Sequence, residues 1–190
     1  MPVSRIIAGV AGGNPLASVP GNATRPTTDR VKEALFSRLE SLAVIDGARV
    51  LDLYAGSGSL GVESASRGAR SVDLVEFDAK ASDVCQRNAD LVNQTLGSKK
   101  VSVHRSKVES FLERAGDALV WDLVFLDPPY PLDEPALAAV LEKLALHLDD
   151  AAVVVVERSS RSPEPSWPDA LECFADKKYG ETKLWFAEPA

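Results

Sequence analysis

The chain has 190 residues, of which 45% are hydrophobic and 6% aromatic, and its 12 glycines and 12 prolines are too few for a fibrous or low-complexity protein. This length and composition suit one globular domain with a sizeable core. The formal net charge of −7 disfavours nucleic acid at first sight, but residues 1–38 hold five basic and two acidic side chains, and phosphate contact depends on such local patches.

The sequence contains no membrane or export signal. No apolar run approaches the roughly 18 residues that a membrane span needs, and the first ten residues lack the apolar stretch and cleavage site of a signal peptide. Cys85 and Cys173 are far apart and are expected to be reduced thiols. We therefore expect a cytoplasmic protein without a membrane segment.

The first predicted elements are an arm and a helix. Residues 1–24 are rich in Gly, Pro and Asn with short apolar pieces, which predicts a small hairpin or arm. Residues 27–29 are N-cap residue types. Apolar residues at helical spacing from Val31 to Leu39 follow them and predict a helix that ends near Ser41.

From residue 48, short apolar runs alternate with amphipathic stretches. The predicted strands are Val50 to Tyr54, Val72 to Phe77, Val101 to His104, Trp121 to Leu126 and Ala152 to Glu157. The predicted helices between them are Leu60 to Arg67, Ala79 to Asn93, Lys107 to Arg114 and Pro135 to His147. The tail from Leu171 adds two strand-like pieces, the last from Thr182 to Ala187. This order predicts an α/β fold whose parallel sheet is covered on both faces and binds ligands beyond the carboxyl ends of its strands.

The loop after the first predicted strand is rich in glycine, since residues 51–61 read LDLYAGSGSLG. Glycines between a strand and a helix let the backbone approach a ligand closely. The G-x-G-x-x-G pattern by itself also fits a dinucleotide-binding turn. We expect a nucleotide-like cofactor to contact this loop at Tyr54, Ala55, Gly56, Ser57 and Gly58.

Two carboxylates favour S-adenosylmethionine over a nicotinamide cofactor. Asp52 would hold a cationic amino-acid end and would repel a pyrophosphate, and a capping residue is the alternative interpretation. Glu76 can accept hydrogen bonds from both ribose hydroxyls, unless it is only a solvated strand end. Phe77 would pack on the adenine face or, alternatively, in the core. Ser106 and Lys107 would meet the adenine edge, and a plain turn is the other interpretation.

The fourth predicted strand ends in Asp127, Pro128, Pro129 and Tyr130. Two prolines cannot extend a central strand, so they predict a rigid turn. Asp127 and the Pro128 carbonyl can each accept an N–H of a planar amino group, which aims the nitrogen lone pair at a methyl donor. Tyr130 would stack on a flipped-out base. The turn therefore predicts methyl transfer to an exocyclic amino nitrogen of a nucleobase, with a purely structural turn as the alternative.

The glycine loop and this turn together resemble the class I amino-methyltransferases. Residues 25–36, RPTTDRVKEALF, with Arg5-Ile6-Ile7, residues 66–69 and the strand at Glu157, are similar to the 16S ribosomal RNA guanine-N2 methyltransferases, the RsmD family. The resemblance implies a Rossmann-like, seven-stranded sheet, mostly parallel with the last strand antiparallel and with helices on both faces. It also implies an RNA-facing hairpin and helix over residues 1–42, followed by a methyltransferase domain over residues 43–190.

The resemblance further implies the reaction and its partners. S-adenosylmethionine would give its methyl group to N2 of one guanine in 16S rRNA, leaving S-adenosylhomocysteine, with no metal. The substrate would be presented on the small ribosomal subunit, and we expect a monomer. Arg5, Arg25, Thr28 and Arg30 would lie near the RNA target, unless they cap and fix the helix. Residues 9–15 hold no basic residue, whereas the arm of the family usually carries several.

Three other functions fit part of the pattern. A DNA adenine-N6 or other amino-methyltransferase would use the same turn, but it usually needs a separate DNA-recognition region, for which 190 residues leave little room. A non-catalytic rRNA-binding assembly factor on this scaffold is disfavoured by the intact Asp127 and glycine loop. A nicotinamide-dependent oxidoreductase is disfavoured by Asp52 and by the Asp-Pro-Pro-Tyr turn.

Overall fold

A seven-stranded sheet runs through the molecule in the order β3-β2-β1-β4-β5-β7-β6. The structure, a computed structural model, describes residues 4–20 and 28–190. The strands are β1 (Arg49–Leu53), β2 (Ser71–Glu76), β3 (Val101–Arg105), β4 (Trp121–Leu126), β5 (Leu148–Ser159), β6 (Leu171–Tyr179) and β7 (Thr182–Pro189). Strands β1 to β5 pair in parallel, and β7 is antiparallel to both of its neighbours. The predicted fold class is confirmed.

The helices cover both faces of this sheet. They are α1 (Asp29–Ser41), α2 (Ser59–Ser66), α3 (Ala79–Leu96), α4 (Val108–Arg114) and α5 (Glu134–Ala145). Buried residues of α1, α2 and α3 form one apolar cluster with Val50, and those of α4 and α5 form a second with Leu51 and Leu53. Successive β1 residues thus serve opposite faces, as strand geometry requires. No helix within the described residues is long and apolar enough to cross a membrane.

Element bounds differ from the predicted ones where a local signal was misread. Helix α3 continues beyond Asn93 to Leu96, because its C-cap is Gly97 with a left-handed φ of 71°. Strand β5 begins at Leu148 instead of Ala152 because Leu148 pairs with Trp121 across a register shift. Tyr54, predicted to end β1, has a φ of 57° and starts the turn after the strand.

The N-terminal segment packs on the sheet domain with little regular pairing. One antiparallel bridge joins Arg5 to Pro15, and Ile6 N donates to Asn14 O at 3.0 Å. Ile6, Ala11 and Leu16 are buried in the same apolar cluster as Val50 of β1. The segment therefore shares the core of residues 43–190 and holds its position through its own buried side chains.

Candidate functional site

The carboxyl ends of β1, β2 and β4 border a cleft of about 510 Å³, a size usual for small-molecule sites. Because β1 lies between β2 and β4, the glycine loop and the Asp-Pro-Pro turn open at the same edge. The lining residues come from the N-terminal segment and from the ends of four strands: Val19, Pro20, Tyr54, Val75, Glu76, Phe77, Asp78, Lys80, Ala81, Lys107, Val108, Glu109, Asp127 and Pro129. Across residues 4–20 and 28–190, no group of three or more His, Cys, Asp or Glu side chains is placed to hold a metal ion.

The glycine loop turns through two left-handed residues, Gly56 at φ 59° and Gly58 at φ 80°. A Cβ on Gly58 would lie 2.8 Å from Leu74 Cδ1, whereas the same position on Gly56 is open. The Cys85 thiol donates to the Gly56 carbonyl at 2.9 Å, and burial raises the pKa of that thiol, so it stays protonated. Leu74 and Cys85 thus fix the loop on the side that faces the core, while the space beside the Gly56 Cα stays open to a ligand.

Asp52 lies beneath this loop and is only 2% exposed. One of its carboxyl oxygens accepts from Gly61 N at 3.0 Å, so Asp52 does cap the start of α2. Its other oxygen has no hydrogen-bond partner in the described part of the chain. Burial, with the charges of Glu76 and Glu157, raises the pKa of Asp52 to about 8. A cation bound nearby would therefore stabilise a charge that the protein leaves uncompensated.

Glu76 links the end of β2 to the glycine loop. Its two oxygens accept from Gly56 N and Asp78 N, each at 2.9 Å, which leaves further lone pairs for hydroxyl donors. Phe77 is 60% exposed, which excludes the interpretation that it packs in the core. The Lys107 ammonium lies 5.4 Å from the centroid of the Phe77 ring. A carboxylate, an open aromatic face and a cation therefore stand together at one end of the cleft.

Ser106 is turned away from this group. It is 9% exposed and does not line the cleft. Its hydroxyl donates to the Lys107 carbonyl at 2.9 Å and accepts from Arg114 at 3.0 Å. The structure thus brings Lys107 to the cleft and uses the Ser106 side chain to shape the turn.

Asn88 is a site residue that sequence reasoning missed. Its amide nitrogen donates to the Ser57 carbonyl at 2.8 Å and to the Ala17 carbonyl at 3.1 Å, and its oxygen accepts from Ala17 N at 2.9 Å. One buried side chain therefore joins the glycine loop to the N-terminal segment and brings Val19 and Pro20 to the cleft. Nothing local to Asn88 in the sequence marks this role, because it depends on contacts between distant segments.

The residues of the Asp-Pro-Pro turn and the tyrosine after it differ in solvent exposure. Pro128 is buried, Asp127 is half-buried, and Tyr130 is 66% exposed. Among the residues that the structure places, no donor lies within hydrogen-bonding distance of the Asp127 carboxyl. Burial, then the charges of Glu157 and Asp52, raise the pKa of Asp127 well above its usual range. The turn therefore offers an unpaired acceptor to the cleft.

Arg158, at the end of β5, fixes the loop that follows this turn. Its guanidinium donates to the Leu132 carbonyl at 3.2 Å and to the Glu134 carboxylate at 2.7 Å, and its side chain is only 8% exposed. The loop is thus held at both ends, by β4 and by Arg158. The sequence analysis missed Arg158, and the only signal that could have indicated it is a charged residue directly after the predicted buried strand Ala152 to Glu157.

Of the residues predicted to face RNA, the three that the structure describes, Arg5, Thr28 and Arg30, lie outside the lining of the cleft. Arg5 is exposed, and its carbonyl accepts from Lys32 Nζ. The Thr28 hydroxyl accepts from Val31 N at 3.3 Å and caps α1, so the capping interpretation of Thr28 holds. Arg30 is exposed and has no ion-pair partner in the described ranges. Arg25 lies outside the described residues.

Comparisons with known proteins place the chain in a family. The family described as conserved hypothetical protein 95 matches residues 4–188. The ribosomal RNA small subunit methyltransferase D of Haemophilus influenzae is 36% identical, over 84% of this chain and 80% of its own length. The protein of the same name from Escherichia coli K12 is 34% identical, over 93% and 85%. Among solved structures, the yhhF protein of Escherichia coli aligns with a TM-score of 0.82 at 32% identity, over 99% of this chain and 98% of its own.

These likenesses extend over the N-terminal segment, the glycine loop and the Asp-Pro-Pro turn alike. They agree with the seven-stranded topology and with the shared cleft. The chain therefore belongs to the conserved hypothetical protein 95 family, which includes RsmD, and it is a methyltransferase of the class I fold.

Proposed function

We propose that this enzyme transfers the methyl group of S-adenosylmethionine to the exocyclic N2 of a guanine in 16S ribosomal RNA, presented on the small ribosomal subunit. The shared cleft carries the proposal, because Tyr54, Glu76 and Phe77 line it together with Asp127 and Pro129. The printed names of the relatives, ribosomal RNA small subunit methyltransferase D, supply the substrate class.

The end of the cleft near β2 fits S-adenosylmethionine, which when bound supplies an electrophilic methyl group on a cationic sulfur. Glu76 would accept hydrogen bonds from the ribose hydroxyls, since each of its oxygens accepts only one backbone N–H. The exposed Phe77 ring would cover one face of the adenine, with Lys107 beside it. The uncompensated Asp52 carboxyl would attract the cationic amino-acid end.

The other end of the cleft fits a planar amino group. Asp127 would accept one N–H and the Pro128 carbonyl the other, which pulls the nitrogen out of conjugation and aims its lone pair at the donor. The exposed Tyr130 ring would stack on the flipped base. The methylated nitrogen must lose one proton, and the raised pKa of Asp127 makes this carboxylate a suitable acceptor.

The surroundings of the cleft support the same function. Residues 1–42 are proposed to face the RNA, with Arg5 and Arg30 exposed on them and Arg25 and Thr28 as further candidate contacts. Ser57 and Ser106 support the cofactor loop and its neighbouring turn through backbone and hydroxyl contacts. We infer that the enzyme acts as a monomer in the cytoplasm, where ribosomal subunits are assembled.

The test is transfer of labelled methyl groups to free 16S rRNA and to small subunits, followed by mapping of the labelled nucleotide. We expect Asp127→Ala to lower the transfer rate about 100-fold or more while cofactor affinity measured by calorimetry stays near that of the wild type. The matched control is Asp150→Ala, because Asp150 is exposed near the start of β5, at the opposite edge of the sheet.

Each contrary result identifies a different error. Normal transfer by Asp127→Ala would refute the role of that carboxyl. Label on an adenine, or on DNA, would show that the enzyme methylates another amino group and not guanine N2. Tight subunit binding by the wild type without any transfer would make the chain a non-catalytic assembly factor.

A further inference from the structure

A row of basic side chains crosses the sheet at the edge that bears the cleft. Strands β5 and β6 run in one direction and β7 in the other, so the end of β5, the start of β7 and the end of β6 meet at the edge where β4 ends. In register, Arg158 of β5 lies opposite Lys183 of β7, which lies opposite Lys178 of β6. Directly opposed residues share one face, so the row leads outward from the catalytic turn.

The inner members of this row are already engaged. Arg158 holds the loop after the turn through its bond to Glu134. The Lys183 ammonium lies 3.3 Å from the Asp176 carboxylate and 4.1 Å from the centroid of the Trp185 ring. Because Arg158 and Lys183 are held by contacts within the chain, only the outer cations are available to contact a partner.

The outer cations are exposed and unpaired. Lys178, the outermost member of the row, and Arg161, in the turn after β5, are both exposed, and neither has a carboxylate within ion-pair distance in the part of the chain that the structure places. Residues 158–161 and 176–183 together hold five basic and two acidic side chains, although the whole chain carries −7. These two segments therefore carry a net positive charge on a molecule whose formal net charge is negative.

We propose that Lys178, near the tip of the β6–β7 hairpin, and Arg161, after β5, bind phosphates of the RNA strand that flanks the methylated base. The inference rests on the proposed function, because it places this surface beside the amino-group end of the cleft. It also accounts for RNA contact in a chain whose residues 9–15 contain no basic side chain. Phosphate contacts of this kind position the RNA without reading its sequence.

The experiment measures binding of small ribosomal subunits and of a 16S rRNA fragment over a salt series, together with methyl transfer and cofactor affinity. The variant is the double change Lys178→Ala and Arg161→Ala. We expect RNA affinity to fall about 10-fold or more and the salt slope to decrease by about 0.7 for each lost phosphate contact. Transfer at saturating RNA and cofactor affinity should stay unchanged.

The matched control is Lys99→Ala with Lys100→Ala, two other lysines that precede β3 at the opposite edge of the sheet. The surface is refuted if the double variant keeps the wild-type affinity and salt slope, if the control pair loses as much, or if the wild type binds no RNA. If the double variant loses RNA binding but the wild type transfers no methyl group, the surface stands and the proposed function fails.

Discussion

Two nearby carboxyl side chains, Asp52 and Glu157, disfavour ionisation of Asp127. The charges of Asp52 and Glu157 add to burial in raising the pKa of Asp127, and Arg158 only partly opposes them. Asp52 is likewise shifted by burial and then by Glu76 and Glu157. The repulsion between these carboxylates is unfavourable, and a cationic ligand bound beside them would reduce it. At the residue scale, this predicts that the cleft favours a sulfonium and an ammonium over a phosphate.

The raised pKa of Asp127 predicts how methyl transfer depends on pH. The carboxyl must be charged to accept the amino N–H strongly, so kcat/KM should increase as pH rises through the raised pKa and fall about 10-fold per pH unit below it. With cofactor saturating, the limb should move to lower pH, because the positive charge favours the ionised form. Initial rates over a pH series test this, and the residual rate of Asp127→Ala, which lacks the group, should show no such limb. A wild-type profile that is flat or falls with pH contradicts the prediction.

Most elements could be predicted from the sequence because their signals are local. The apolar alternation marks β1 to β5, and Gly97 and the capping Asp78 bound α3. The glycine loop, Glu76 and the Asp-Pro-Pro turn were found for the same reason, since each directly follows a strand. Asn88 and Arg158 were missed because their hydrogen bonds join them to distant segments, the glycine loop and the loop that follows the Asp-Pro-Pro turn. The N-terminal segment was predicted as a hairpin or arm because it is rich in Gly, Pro and Asn, and the burial of Ile6 depends on contacts with the distant sheet.

The contact of α2 with β2 sets the position of the glycine loop, and Gly61 permits it. A Cβ on Gly61 would lie 2.2 Å from Leu74 Cδ2 and 2.9 Å from Val72 Cγ1. Both partners are buried side chains of β2, so neither can move without repacking the sheet. The absence of a side chain at Gly61 therefore allows α2 to pack this closely against β2.

In Gly61→Ala, overpacking should cost about 1–3 kcal/mol and the helix propensity of alanine should regain about 1 kcal/mol, so we expect a net destabilisation of up to about 2 kcal/mol. Cofactor affinity should fall with it, because Asp52 holds the Gly61 amide and the loop would shift. Urea unfolding and calorimetry measure the two effects. Gly116→Ala is the control, since a Cβ at Gly116 meets nothing within 4 Å. Equal stability of the two variants would show that the contact between α2 and β2 tolerates a methyl group.

At the scale of the whole molecule, a buried ionic cluster joins the N-terminal segment to the sheet domain. The fully buried Glu63 accepts from Ile7 N at 2.8 Å, from Ala8 N at 3.1 Å and from Arg67 Nε at 2.8 Å. Lys32 of α1, also fully buried, lies 3.5 Å from Glu63. One carboxylate of α2 thus holds both the segment that reaches the cleft and the helix that follows it.

Lys32 completes this cluster on the side of the glycine loop. Its ammonium donates to the Arg5 carbonyl and, at 3.1 Å, to the hydroxyl of Ser59, the first residue of α2. Burial lowers the pKa of Lys32, and the charges of Glu63 and Asp29 oppose that shift. Glu63 is the main charge that opposes this shift, so the cluster depends on both partners being present.

Removal of Glu63 should consequently uncouple the N-terminal segment from the cleft. Glu63→Ala leaves Lys32 without its main counter-charge and two backbone amides of the segment unsatisfied, and we expect a loss of about 3–5 kcal/mol. Urea unfolding measures this loss, and amide exchange should accelerate at Ile7 and Ala8 before the sheet opens. The control is Glu40→Ala, because Glu40 contacts Arg67 at 2.8 Å but is 55% exposed, so its loss should cost less than about 1 kcal/mol. Equal losses in the two variants, or unchanged exchange in the segment, would show that apolar burial of Ile6, and not the ionic cluster, anchors it.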